Sequence, residues 1–387
     1  MLLTLGVLLS YPHAIQGQIV LPVELGSTPA PQAQAGSNSG ESTYDKTWRR
    51  FTEWYVDEAN PIVQKVLFSG RFQHEFATLN ANHGDHDEWN VRRMRFGPKV
   101  TLFRTFTLHS EIELNPQEAA PLYLRFTDFY LQWSKSERLA VTVGKHGVPF
   151  TADGATSSKE LLTIDRSNLT NNIWFTQEYI PGVSVSGTLA PWTYRAGVYS
   201  AGEANREFGN FNGGAFALGA LGYDFAKSFG VNQALLTGSY VYQNTDTRNT
   251  FTQQLEHIAS VTFRFDAGRW GVRTDVSTGL GYLGQSNLWG VMAMPFANLT
   301  DKLQFVGRYT LLDSKDPNGL RLATYEKRVV SDRGDRYNEL YLGANYFFYD
   351  HKLKLQTGAK FADMNDHAND GGAYSGVSLT TGLRVSW

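Results

Sequence analysis

Hydrophobic and polar residues alternate along most of this chain. Between residues 375 and 387 the apolar side chains occupy every second position, as Val377, Leu379, Leu383 and Val385, and polar or small residues lie between them. A period of two puts the apolar side chains on one face of a β-strand. The rhythm recurs over residues 338–348 and, in the opposite phase, over 352–362, with a three-residue turn at 349–351. The pattern therefore predicts antiparallel strands with one apolar and one polar face.

Because the strand at 375–387 is the last in the sequence, it is expected to pair with a distant strand, most simply the first, and such pairing closes a barrel. Alternation and turn signals predict sixteen strands, an even number as in bacterial outer-membrane barrels. The predicted spans are 63–78, 90–103, 106–114, 122–133, 138–147, 181–189, 192–200, 213–226, 231–243, 253–266, 269–283, 287–298, 302–312, 336–349, 352–363 and 375–387.

The lengths of the connections also sort by strand parity. Connections after even strands are short, as at 104–105, 190–191 and 267–268, whereas those after odd strands are often long, notably 79–89, 148–180, 201–212, 313–335 and 364–374. Short periplasmic turns and long outer loops are typical of outer-membrane barrels. The predicted fold is therefore all-β, a sixteen-stranded antiparallel transmembrane β-barrel of the outer-membrane porin type, located in the bacterial outer membrane.

Composition is consistent with this class. The 387 residues are 42% hydrophobic and only 19% charged, and they contain no apolar run long enough for a helical membrane span. A closed barrel is the other structure that satisfies every main-chain polar group in lipid. The absence of cysteine permits folding in the periplasm without disulfides. A net charge of −2 gives no indication of nucleic acid, and no nucleic-acid partner is expected.

The N-terminal part divides into two predicted segments before the barrel at 61–387. Residues 1–17 resemble a secretory signal peptide, with an apolar block at 2–10 and cleavage near Gly17. Residues 18–60 are predicted to be a periplasmic linker, rich in Pro, Ala, Gln, Gly and Ser, followed by a short amphipathic helix. Its predicted apolar face carries Tyr44, Trp48, Phe51 and Tyr55. We expect this helix to pack as a cap at the barrel mouth or against the periplasmic membrane face.

Sixteen strands enclose a lumen that side chains cannot fill, so a water-filled pore is expected. The third outer loop, 148–180, has more apolar residues than an exposed loop usually shows: Phe150, Leu161, Leu162, Ile164, Trp174 and Phe175. We expect it to fold inward and narrow the channel. The alternative is a lid packed on the outer rim.

Several segments in a fixed order resemble the phosphate-selective porins O and P. They are NVRRMRFGPKVTLFRTF at 90–106, DFYL at 128–131, VGKHGVPF at 143–150, TSSK at 156–159, DR at 165–166, GVSVSG at 182–187 and NYFFYDHKLKLQ at 345–356. The resemblance runs from about residue 60 to the end. It implies a sixteen-stranded, usually trimeric barrel that passes anions such as phosphate.

The phase of the strands predicts which charges face the lumen. If the apolar residues of the first two and last two strands face lipid, the basic residues of these strands face inward and, after closure, form one wall: Arg71, Arg93, Arg95, Lys99, Lys354, Lys360 and Arg384. A cation on the lipid face would cost about 2–4 kcal/mol at the membrane midplane. Lys159 and Arg166 are the candidate cations of the constriction loop. Arginine can hold two oxygens of a phosphate or carboxylate, so the wall predicts an anion path.

Acidic residues leave a second interpretation open. His109, Glu111 and Glu113 are predicted to face inward beside the second strand, and Glu75 lies near Arg71. The loop carries Asp153, Glu160, Asp165 and Glu178, which outnumber its two cations. These acids could form cross-strand pairs that brace the wall and largely cancel its field. Weakly anion-selective diffusion is therefore the expected function.

Other functions have weaker support. The sequence contains no recognisable catalytic motif, so an enzyme is not expected, and no cofactor is implied. His83, Asp85, His86, Asp87 and Glu88 could hold a metal, but a solvated loop is the preferred interpretation. The remaining alternatives are a pore for uncharged or sugar-like solutes lined by aromatics such as Tyr199 and Tyr341, and a structural or adhesive barrel with little conductance.

Overall fold

The computed structural model describes residues 42–173, 179–202, 207–208, 212–249 and 253–387. The predicted signal peptide at 1–17 and the linker before residue 42 lie outside the described residues. The same holds for Trp174, Phe175 and Glu178 of the third outer loop.

The described chain is dominated by β-strands. They are β1 (Glu53–Val56), β2 (Val63–Ala81), β3 (Gly84–Leu102), β4 (Phe106–Leu114), β5 (Tyr123–Ser136), β6 (Leu139–Gly147), β7 (Tyr179–Leu189), β8 (Trp192–Ser200), β9 (Ala215–Asp224), β10 (Gln233–Gln243), β11 (Leu255–Ala267), β12 (Trp270–Gly281), β13 (Leu288–Asn298), β14 (Leu303–Ser314), β15 (Leu320–Arg321), β16 (Arg333–Gly334), β17 (Arg336–Tyr349), β18 (Leu353–Asn365) and β19 (Tyr374–Ser386). The helices are α1 (Thr43–Thr52), α2 (Asn168–Ile173), α3 (Ala226–Phe229) and a 3₁₀ turn at Glu326–Arg328.

Sixteen of these strands, β2 to β14 and β17 to β19, form a closed antiparallel barrel. Closure occurs where β19 pairs with β2, in a register that aligns Ser386 with Arg71 and Gly376 with Ala81. The predicted strand number, the antiparallel order and the pairing of the last strand with the first are thus confirmed.

The two faces of the strands separate as the alternation predicted. In β19, Ser378, Thr380 and Arg384 are at most 6% exposed, whereas the intervening Val377 and Leu379 are 44% and 50% exposed. In an outer-membrane barrel the exposed apolar face is the one that contacts lipid. The lumen face therefore carries the polar and charged residues of this strand.

The first outer connection is shorter than predicted. Residues 79–89 were expected to form a loop, but β2 and β3 continue to a turn at residues 82–83, and Thr78 pairs with Asp87. The polar residues from His83 to Glu88 gave no strand signal, because this part of β3 has no apolar face. Ladder hydrogen bonds and the contact of Phe76 with Trp89, whose ring centroids are 4.8 Å apart, hold this extension together.

The N-terminal helix is shorter than its predicted face. Helix α1 ends at Thr52, and Tyr55 lies in β1, which pairs with residues 65–67 of β2. The β19 edge reaches only to Gly70, whose main chain pairs with Trp387, so β1 continues the hydrogen bonding of β2 beyond that point. Trp54 stacks on the outward-facing ring of Phe68 at 4.8 Å. Within the described ranges, no helix is both long and apolar enough to cross a membrane.

The third outer loop packs against inward-facing side chains. Leu169 and Ile173 of α2 join a buried apolar cluster that includes Leu288 and Met292 of β13 and Leu312 of β14. Gly290 makes room for this packing, because a Cβ atom there would lie 2.4 Å from the Leu312 side chain and 3.2 Å from Leu169. The lumen face of β13 is thus apolar, which the rule of polar lumen faces did not predict.

Candidate functional site

Closure brings the predicted basic residues of four strands onto one inner wall. Strands β18, β19, β2 and β3 are consecutive around the barrel. Arg71, Arg93, Arg95, Lys354 and Arg384 are each at most 8% exposed. Lys360 and Lys99 also alternate inward, on β18 and β3. The structure therefore places all seven predicted cations on this wall.

Four cations of this wall form ion pairs. Arg71 lies 3.1 Å from Glu111, and Arg95 lies 2.8 Å from Glu113. Arg384 pairs with Glu75, and Lys360 pairs with Glu326 in the loop between β14 and β17. A buried pair lowers the field that either charge would exert alone. The bracing interpretation of the acids thus describes these four residues.

Glu75 has a different partner from the one that its position suggested. It was expected near Arg71, but its carboxylate accepts from Arg384 and from the Tyr325 hydroxyl at 2.5 Å. The residue opposite Glu75 on β19 is Gly382, and the absence of a side chain there lets the guanidinium of Arg384 lie across it.

Basic residues on the lumen face also hold the third outer loop. The Lys354 Nζ donates to the Leu161 carbonyl at 2.8 Å, and Arg71 donates to the Ser158 hydroxyl at 2.6 Å. Arg308 of β14 donates to the Asp165 carbonyl at 2.8 Å. These donors face the lumen, so residues 158–165 lie against the inner wall.

The two predicted cations of the loop make contacts within the protein. Arg166 donates to the carbonyls of Asp153 and Thr156, at 2.9 and 3.0 Å. The Lys159 Nζ donates to the main-chain oxygen of Trp387 at 2.7 Å. Both side chains therefore brace the loop.

A basic cavity of about 500 Å³ lies on the side of the long outer loops. We call it the vestibule. Its wall contains eight cationic side chains and two carboxylates: Arg92, Arg93, Arg95, Arg125, Arg166, Arg321, Lys327 and Arg328, with Glu113 and Asp165. Three of the cations, Arg93, Arg95 and Arg166, were predicted as site residues. The excess of positive charge makes this the part of the lumen best suited to an anion.

Two β-bulges explain why the alternation pattern did not predict that Arg92 and Arg125 face the lumen. In β3, Arg93 pairs with Gln73 and Val91 with His74, so Arg92 is the extra residue of a bulge. In β5, Asp128 pairs with Glu111 and Phe126 with Ile112. A bulge reverses the phase of the alternation. Arg92 and Arg125 consequently face the vestibule although a strict period of two places them outside.

The loop between β14 and β17 contributes the remaining cations. Burial, together with a smaller effect of the neighbouring Arg333, lowers the pKa of Arg321 to about 10. Burial also lowers the pKa of Lys327, and the nearby Arg92 and Arg328 add to the effect. Arg321 contacts Gln285 at 3.4 Å. Among the described residues, no carboxylate forms an ion pair with Arg321 or Lys327. An anion in the vestibule would relieve this repulsion between like charges.

The aromatic residues considered for a neutral solute are covered by other side chains. Tyr199 is 0% exposed and stacks on Phe216 at 5.0 Å. Tyr341 is 4% exposed, and the guanidinium of Arg308 lies 5.3 Å from its ring centroid. Neither ring presents a face to the lumen.

Comparison with known proteins agrees with this architecture. The family model described as phosphate-selective porin O and P matches residues 66–301. None of the curated proteins compared with the chain matches it.

Solved porin structures share the fold at low sequence identity. OmpF of Salmonella typhi, in complex with daunomycin, has a TM-score of 0.61 and 11% identity, covering 87% of this chain and 100% of its own. In-vitro folded OmpT of Vibrio cholerae, described as a trimer form, has a TM-score of 0.53 and 14% identity, covering 83% and 99%. OprB of Pseudomonas putida has a TM-score of 0.54 and 10% identity, covering 83% and 94%.

Proposed function

Since this chain belongs to the phosphate-selective porin O and P family and is a channel of the bacterial outer membrane, we propose that it takes up small oxyanions and that the vestibule is where they are captured. The observation that carries the proposal is the excess of eight cations over two carboxylates around one cavity. A low-dielectric wall of one sign focuses the field and raises the local concentration of counter-ions.

The predicted anion path acquires two roles in this proposal. Arg93 and Arg95 belong to both the vestibule and the wall, so they lead the anion inward. Arg71, Lys354 and Arg384 position the loop and the acids. Lys99 lies farther in, beside a cavity of about 650 Å³ near α1, and would guide the anion towards the periplasm.

The predominance of arginine in the vestibule indicates which class of anion it should bind. The vestibule has seven arginines and one lysine. A guanidinium donates two parallel hydrogen bonds to a phosphate or carboxylate, whereas chloride accepts without such geometry. We therefore expect phosphate-like and carboxylate anions to bind more tightly than chloride. We also propose that the chain forms a homotrimer; the similar OmpT structure is described as a trimer form.

Planar-bilayer recording of the purified protein tests this function. In a salt gradient of potassium chloride, the reversal potential should show anion preference, and added phosphate should reduce the chloride current in a saturable way. A cation-selective reversal potential would refute the anion path. Conductance without ion preference would favour the pore for uncharged or sugar-like solutes, and lack of conductance would favour the structural barrel.

A further inference from the structure

Three carboxylates meet in the outer loops, away from the vestibule. Asp335 ends the connection between β14 and β17, and Asp366 and Asp370 belong to the connection between β18 and β19. One carboxylate oxygen from each lies within 4.8 Å of the other two. Acidic residues in exposed loops often cluster without binding anything, so the inference needs a second observation.

That observation is the state of the Asp335 side chain. Asp335 is 5% exposed. Its Oδ2 accepts from the main-chain N–H groups of His367 and Ala368, the second at 3.0 Å. Its Oδ1 is buried and has no hydrogen-bond partner in the part of the chain that the structure describes. A buried carboxylate oxygen without a partner is costly. A cation beside the three carboxylates would supply the missing interaction.

No basic side chain takes that place. Across the described ranges, no lysine, arginine or histidine forms an ion pair with Asp335, Asp366 or Asp370. Arg333, which belongs to the same connection as Asp335, instead donates from its guanidinium to the Gln285 amide oxygen at 3.2 Å and to the Gly319 carbonyl at 3.1 Å. The charge of Asp370 acts on Arg333 at longer range, but the three carboxylates have no ion-paired cation among the described residues, and their mutual repulsion opposes this arrangement.

The main chain nevertheless fixes the carboxylates in place. Asp366 accepts from the N–H groups of Asp370 and Gly371, each at 2.7 Å, and Asp370 accepts from the N–H of Asn318 at 2.6 Å. An isolated bridge between Arg333 and Gly371 joins the two connections. The donors leave further acceptor positions on each carboxylate. The group is thus preorganised before any ion arrives.

We propose that Asp335, Asp366 and Asp370 form a Ca²⁺ site that ties these two outer connections together. Ca²⁺ prefers carboxylate oxygens at about 2.3–2.6 Å, so two ligands on opposite sides of the ion are about 5 Å apart. Spacings within 4.8 Å are compatible with such a site. Mg²⁺ usually keeps several waters and is bound by only one or two carboxylates, so a group of three protein carboxylates favours Ca²⁺. With three protein carboxylates, the affinity should resemble that of extracellular calcium modules, with a Kd of about 10⁻⁴ to 10⁻³ M.

The site would also affect the vestibule. Asp335 closes the connection that carries Arg321, Lys327 and Arg328. Bound Ca²⁺ would hold that connection against the one between β18 and β19. The vestibule cations would then be fixed in position when calcium is present at the cell surface.

Calorimetric titration with Ca²⁺ tests the site on the folded full chain in detergent, after treatment with a chelator and dialysis. The wild type should bind one Ca²⁺ per chain. Asp335→Asn keeps the oxygen that accepts from His367 and Ala368 but replaces the free oxygen with an amide NH₂ group, which cannot ligate a cation, so we expect at least about tenfold weaker binding. Asp366→Asn combined with Asp370→Asn should abolish it.

Asp316→Asn is the matched control, because Asp316 is exposed in the same connection and lies outside the carboxylate group. Its Kd should equal that of the wild type. Retention of the heat-modifiable gel mobility typical of a folded barrel establishes that each variant has folded. The proposal is overturned if the folded wild type binds no Ca²⁺ at about 10 mM, a tenfold excess over the weakest expected Kd, or if the Asp335 variant binds it as tightly as the control.

Discussion

Removing Arg321 and Lys327, two vestibule cations that form no ion pair with a carboxylate in the described part of the chain, should weaken anion preference. The perturbation is the double variant Arg321→Gln and Lys327→Gln. A cavity of about 500 Å³ has a radius of about 5 Å, which places the charges about 7 Å from its centre. In water each charge then contributes about 0.6 kcal/mol, and screening in 0.1 M salt leaves about 0.3 kcal/mol. Two charges give about 0.6 kcal/mol, or about a threefold change in local ion concentration.

The local concentration of chloride falls by this factor and that of potassium rises by the same factor. The chloride-to-potassium permeability ratio should therefore fall about ninefold. The assay is the reversal potential of the channel in a tenfold potassium chloride gradient. Lys315→Gln is the control, because Lys315 is exposed in the same connection and does not line the vestibule. If the double variant keeps the wild-type ratio, the vestibule does not set selectivity and the electrostatic reasoning fails.

Three further predictions concern pH and stability. Lys327 is charged below its pKa, which burial lowers beneath the usual lysine value; phosphate block should therefore weaken as the pH rises through that lowered pKa, and Lys327→Gln should remove this step in a pH series of bilayer recordings. Arg384→Gln leaves Glu75, which is 1% exposed, without its cation. We expect the free energy of unfolding to fall by about 3 kcal/mol, seen as a lower midpoint of heat modification, and to recover in part when Glu75→Gln is added. A double variant as unstable as the single one would contradict the pairing. Gly97→Ala puts a Cβ atom 1.8 Å from a main-chain oxygen of β4, so the refolding yield should fall sharply. At Gly219 an added Cβ atom would have no neighbouring atom within 4 Å, so Gly219→Ala should refold normally. Equal yields of the two variants would refute the steric argument.

The barrel could be predicted from the sequence because lipid imposes a strict requirement on one face of each strand. The spans of β4, β8 and β17 match their predicted limits, and the inward direction of Arg71 and Arg384 follows from the same alternation. The polar extension of β2 and β3 was missed because strand beyond the membrane has no apolar face to reveal it.

The site was only partly predictable. The bulge at Arg92 is one extra residue with no sequence signature, yet it reverses the phase of β3 above it. Arg321 and Lys327 lie in a connection whose path depends on tertiary contacts, such as that of Tyr325 with Glu75. Cross-strand pairing of Glu111 and Glu113 with β2 and β3 was an open alternative, and only the register shows which cations they neutralise.

The short strand β1 has a consequence for how neighbouring barrels behave in a crowded membrane. Without it, the main-chain groups of β2 at residues 65–67 would form a bare edge at the rim, since β19 does not reach them. Bare edges recruit strands from other molecules. By pairing with this part of β2, β1 prevents a strand from another molecule from binding there. Detachment of the N-terminal segment would expose an unpaired edge next to the closure of the barrel, where another chain could add a strand.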